Sequence, residues 1–135
     1  MHDDCPFCEI VAGERSAHVI YEDEDAIAFL DENPAARGHT LVVPRTHREE
    51  IVADPEANAT ALFDAVSTVS SAIEDALDPD GFSVFHTTGS LVGTITHAHV
   101  HVVPRVEGDG IGLSLVRDEL DEEAGALADA LAARC

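Results

Sequence analysis

The run Gly93-Thr94-Ile95-Thr96-His97-Ala98-His99-Val100-His101-Val102-Val103-Pro104-Arg105 constrains this chain more than any other stretch, because histidine recurs there at every second position. The flanking residues are apolar or β-branched and Pro104 closes the run, so both composition and alternation predict a β-strand. Side chains at i, i+2 and i+4 of a strand share one face. His97, His99 and His101 therefore stand in a row, with Ala98, Val100 and Val102 directed into a core on the other side.

Imidazole is suited to nucleophilic attack, to proton transfer and to metal ligation. Two chemistries fit the row equally well at this level: a zinc site built from alternate strand histidines, or covalent catalysis in which one ring attacks phosphorus while its neighbours order charge and protons. The charge balance narrows the partners. Asp and Glu total 27 against 7 basic residues, a formal net charge of −20, and every base is arginine. Long nucleic acid needs clustered basic contacts and is not an expected partner. The acids are scattered, which reads as a halophile-like surface whose self-repulsion salt would screen. Without lysine there is no Schiff-base chemistry and no Walker-type phosphate loop. Phosphate must be held by histidine, arginine or backbone N–H groups.

The 135 residues predict a single domain over 1–135 with a real core. No apolar run reaches membrane-spanning length, and Met1-His2-Asp3-Asp4 does not resemble a signal peptide, so a cytoplasmic protein is expected. In chain order, Pro6 to Ala12 predicts a short helix stopped by Gly13. Val19 to Tyr21 and Ala26 to Leu30 predict strands around the acidic turn Glu22–Asp25, and His39 to Val43 predicts a third strand. Asp54-Pro55 reads as a helix start, and Leu62, Val66, Val69, Ile73 and Leu77 repeat at helical spacing until Asp78-Pro79-Asp80-Gly81. Phe82 to Phe85 predicts a strand, a glycine-bearing loop leads to the histidine row, and Leu120 to Ala133 predicts a terminal helix within a tail over 112–135. Short strands, tight turns and segregated helices give an α+β class, with an antiparallel sheet and one long packed helix.

His-x-His-x-His followed by two apolar residues resembles the signature of the histidine triad superfamily of nucleotide hydrolases and transferases. Three further segments resemble the same family in the same order: Cys5-Pro6-Phe7-Cys8-Glu9-Ile10, Tyr21 to Asp31, and Gly38-His39-Thr40-Leu41-Val42-Val43-Pro44-Arg45-Thr46-His47. The resemblance covers residues 5–105. It implies a sheet of about five strands per subunit, often paired into a homodimer.

It also implies roles. His99 is the expected nucleophile toward the α-phosphorus of a nucleotide, with His101 and His39 as partners around the phosphate. Backbone N–H groups near Gly93 and Thr94 are the expected phosphoryl oxygen donors. Asp31 matches the position that binds ribose hydroxyls, and Phe7, Ile10 and Phe29 match positions that line a base, with a purine preferred. In relatives with the N-terminal C-x-x-C, a structural zinc is held at positions that correspond to Cys5, Cys8, His47 and His97. Two thiolates and two imidazoles suit a closed tetrahedral site. The implied activity is cleavage of a nucleoside monophosphate from an amine or phosphate leaving group. The alternatives are dinucleoside polyphosphate hydrolysis, a non-catalytic nucleotide-binding module, and a zinc enzyme using His97, His99 and His101 directly. The sequence departs from the family pattern at Thr87-Thr88-Gly89 and Gly93-Thr94, where asparagine and glutamine are common, and in a shorter segment before His97. His86 has no assigned counterpart and is expected at the surface.

Overall fold

The computed structural model describes residues 4–88 and 95–135. Among these residues five strands form one sheet: β1 (Val19–Glu22), β2 (Ala26–Leu30), β3 (Thr40–Pro44), β4 (Gly81–Phe85) and β5 (Val100–Arg105). Their spatial order is β1-β2-β3-β5-β4, and every neighbouring pair is antiparallel. Three helices among the described residues accompany it: α1 (Pro6–Val11), α2 (Ala59–Leu77) and α3 (Ala124–Ala132). The α+β class, the antiparallel sheet and the long packed helix all match the sequence expectation.

The period-two alternation of β2, β3 and the histidine run builds two different faces. Ala26, Ala28, Val42, Ala98, Val100 and Val102 face α2, where Leu62, Ala65, Val66, Val69 and Ile73 meet them in one cluster. Full burial of such side chains contributes about 1.5–3 kcal/mol each for the larger ones, so this face supplies most of the stability. The odd positions Ile27, Phe29, Leu41 and Val43 face the other way and pack with Cys5, Phe7 and Cys8 of the α1 segment. The three triad histidines lie on that second side. Their row begins before the ladder does: β5 starts at Val100, and Ala98 is held instead by its N–H to the Arg48 carbonyl at 2.6 Å.

Two helix starts differ from expectation. Asp54-Pro55 is a turn and not a cap: the Asp54 carboxylate accepts from Glu56 N–H at 2.9 Å and pairs with Arg48 at 3.5 Å. The cap is Asn58, whose side chain accepts from Ala61 N–H. The C-terminal helix begins only at Ala124, capped by the Glu123 carboxylate, and residues 112–123 have no regular structure. Gly38, just before β3, has φ +91°, and a Cβ there would meet Leu77 Cδ1 at 2.7 Å. The close approach of α2 to this turn thus requires glycine and fixes the position of His39.

No helix among the described residues is long and apolar enough to cross a membrane.

Candidate functional site

Two clusters share the α1 side of the sheet. The first gathers Cys5, Cys8, His47 and His97, whose donor atoms all lie within 4.8 Å of one another. Cys5 caps α1, its sulfur accepting from Cys8 N–H at 3.3 Å, so one turn of helix brings both thiols to the same point. His97 is fully buried and its Nε2 lies 2.7 Å from the Pro44 carbonyl. A carbonyl only accepts, so Nε2 carries the proton and Nδ1 presents a lone pair. That Nδ1 lies 3.5 Å from both Cys5 Sγ and Cys8 Sγ, and His47 Nδ1 lies 3.3 Å from Cys8 Sγ. With Zn–S near 2.3 Å and Zn–N near 2.0 Å, a tetrahedral site has S···N edges of about 3.5 Å. The donor set and its spacing fit zinc. Burial, and then the neighbouring Cys8 thiol, raise the Cys5 pKa, a situation that a bound cation reverses.

The second cluster is a line. Ala35 N–H donates to His39 Nδ1 at 2.9 Å, which leaves the His39 proton on Nε2. That Nε2 lies 2.9 Å from His101 Nδ1 and 3.5 Å from Asp31 Oδ2. His101 Nδ1 therefore accepts, and the remaining His101 proton sits on Nε2. Burial, with the His99 and His39 rings adding to it, pushes the His101 pKa down to about 4; burial also lowers that of His39, against the pull of Asp31. Both rings are neutral at pH 7, as the relay requires. Asp31 is itself held by Asn33 N–H on Oδ1 at 2.9 Å.

His99 stands between the clusters. Its Nδ1 lies 2.9 Å from the His97 carbonyl, so Nδ1 carries the proton and Nε2 presents its lone pair. Phe7 meets the ring edge-to-face with centroids 5.2 Å apart, and His101 meets it at 5.1 Å. The triad is thus divided: His97 belongs to the thiol cluster, His101 to the relay, and His99 to neither. Among the described residues the three triad rings do not form a metal-sized group, whereas Asp31, His39 and His101 do. In the latter group, however, the inner nitrogens are already joined by a proton.

Of the base-lining expectations, Phe7 and Phe29 are only 4% and 3% exposed and pack edge-to-face on each other, while Ile10 is half-buried beside them. Gly93 and Thr94 lie outside the described residues. His86 is a correction: it is half-buried, and its Nδ1 donates to the His99 carbonyl at 3.1 Å, while its buried Nε2 has no partner among the described residues. Phe85, across the ladder from His101, stacks on that ring at 4.5 Å and 12°. Sequence reading missed both roles, because they depend on β4 lying beside β5.

Comparison with known proteins gives a consistent picture. The HIT domain model matches residues 12–108. Adenylylsulfatase HINT3 from Arabidopsis thaliana is 35% identical over 132 residues, covering 94% of this chain and 67% of that protein. The crystal structure of a HIT family member from Bacillus subtilis superposes with a TM-score of 0.86 at 33% identity, covering 98% of each chain. That of a Zn-bound histidine triad family protein from Mycobacterium smegmatis superposes with a TM-score of 0.73 at 38% identity, covering 97% of this chain and 94% of the other.

Proposed function

Since this chain belongs to the HIT family, we propose that it is a nucleotide hydrolase or transferase acting through a nucleotidyl-histidine at His99. The observation that carries the reading is the His99 tautomer: with Nδ1–H bound to the His97 carbonyl, Nε2 is an unprotonated nucleophile. The Nε2 lone pair forms a P–N bond with the α-phosphorus as the bond to the leaving group breaks and takes its electron pair away. His101, its proton held on Nε2 by the His39 relay, is the donor for a phosphoryl oxygen as charge builds there. Water then displaces His99 from phosphorus and loses its proton, regenerating the ring. Asp31 is the ribose-binding carboxylate of this reading, Ile10 lines the purine side with Phe7 and Phe29 packed behind it, and the backbone at Gly93 and Thr94 completes the phosphate site.

Zinc belongs to the same reading. Cys5, Cys8, His47 and His97 would hold it, and these four residues would take up its tetrahedral positions and tie α1 to the β3 end and to the triad segment. A homodimer is also part of the proposal, supported by the exposed apolar residues Val84 and Phe85 on the edge strand β4.

The test is a quenched reaction with substrate labelled on the α-phosphate. The panel holds an adenosine phosphoramidate, adenosine phosphosulfate and a dinucleoside polyphosphate. Label is expected on protein as acid-labile phosphohistidine, with overall retention at a chiral phosphorus. Inversion would mean direct attack by water and would end the covalent reading.

A further inference from the structure

Phe7 sits in Cys5-Pro6-Phe7-Cys8, between the two thiols of the metal-fit cluster, on a six-residue helix. A helix this short has no stability of its own. It is held by its contacts, and among the described residues Phe7 makes three aromatic ones: Phe29 at 5.5 Å, His97 at 5.9 Å and His99 at 5.2 Å, all steeply tilted. The ring is 4% exposed. That is too little surface for the wall of a nucleotide site, which must offer a face to the base. Its payload is directed inward, toward His97 of the thiol cluster and toward His99.

His99 has need of such a contact. Its one ring hydrogen bond among the described residues, Nδ1 to the His97 carbonyl, fixes the proton but grips a single atom of the ring. Phe7 on one flank and His101 on another leave the ring little room to swing. A nucleophile displaced by about 1 Å loses on the order of a hundredfold in rate.

We propose that Phe7 is a positioning residue that clamps the His99 ring, and that the thiol cluster, by fixing both ends of the Cys5–Cys8 turn, sets the clamp. The inference rests on His99 as nucleophile for its kinetic consequence only. The ring geometry can be read without any substrate.

The experiment compares Phe7→Leu and Phe7→Ala with the parent at neutral pH. Phe7→Leu keeps the site apolar and filled, and so guards against loss of the fold. Ring nitrogens of His99 are followed by long-range 1H–15N correlation, assigned by their disappearance in His99→Ala. The parent is expected to show one Nδ1–H tautomer. The variants are expected to show tautomer averaging, greater for alanine, with zinc still bound. Single-turnover kcat should fall about tenfold for leucine and toward a hundredfold for alanine, with KM within about threefold. An unchanged His99 signal would overturn the clamp, as would a raised KM with steady kcat, which would return Phe7 to the base wall. If no substrate turns over, the ring signal still decides, so failure of the proposed chemistry and failure of this inference are separable. For the metal, wild-type protein stripped by chelator is refilled with zinc. His99 averaging without zinc and order at one equivalent are expected. Indifference of His99 to zinc would overturn the metal half. So would global unfolding on stripping, since the site would then serve the whole fold and not the clamp.

Discussion

The two clusters both employ imidazoles on the same sheet face and differ in where the ring protons go. In the thiol cluster the known His97 proton is turned outward onto the Pro44 carbonyl, and lone pairs converge on a common point. In the relay, donors and acceptors alternate along a line from Ala35 N–H through His39 to His101. Converging lone pairs suit a cation. A line of alternating protons and lone pairs instead ends in a donor, which suits an anion such as a phosphoryl oxygen. Residue type alone does not make a metal site; the second partner of each imidazole does.

The sharpest way to break this comparison is His99→Ala. Turnover should fall about a thousandfold or more while zinc content stays unchanged, measured by single-turnover kinetics and elemental analysis. Loss of zinc would mean that His99 belongs to the metal set after all. Next in size, Cys8→Ala should remove zinc and lower stability by several kcal/mol, roughly 10 °C or more in Tm, because metal binding is coupled to folding. Zinc that survived there would favour the Asp31, His39 and His101 group as its holder.

The relay makes a pH prediction of its own. The folded His101 pKa near 4 lies below the ordinary histidine value near 6.5, chiefly through burial. Between these values the unfolded chain binds a proton that the folded chain refuses. Stability is therefore full above about 6.5 and falls as pH drops toward 4, by roughly 2 kcal/mol once partial exposure is allowed for. Ring titration by NMR should place His101 well below 6, and a His101 that titrated near 6.5 would show the line to be open to water. The smallest effect is expected at Asp31. Asp31→Ala should raise KM roughly threefold to tenfold with little change in kcat, since ribose contacts form in ground and transition states alike. A fall in kcat at constant KM would assign Asp31 to holding His39.

Much of this was legible beforehand because it depends on short-range periodicity. The alternation of His97, His99 and His101 against Ala98, Val100 and Val102 set the two faces, and the spacing from Leu62 to Leu77 set the packed face of α2. The helix start at Asp54-Pro55 misread because Asp54 satisfies its own turn and Arg48, leaving Asn58 to cap. The division of labour within the triad was reached only through resemblance. Its physical cause is the backbone that each ring finds: the Pro44 carbonyl for His97, the His97 carbonyl for His99 and the Ala35 N–H for His39. Main-chain partners brought together by folding leave no mark on side-chain spacing. His86 and Phe85 were missed for a related reason, since the order β3-β5-β4 is not written in any local pattern.

Beyond β5 the chain is fastened and then released. Arg105 grips Asp109 through two nitrogens, at 2.7 and 3.0 Å, and also holds the Ile111 carbonyl and Ser83 Oγ. Past that buckle Leu113, Leu115, Val116 and Leu120 are exposed, and α3 buries no residue. The consequence is a built-in cleavage boundary. Trypsin should cut first at Arg117, and the shortened product should keep its zinc and its His99 signal, because the Arg105 fastening lies upstream of the cut. Resistance of Arg117 that disappears on dilution would report that a second copy shields this arm.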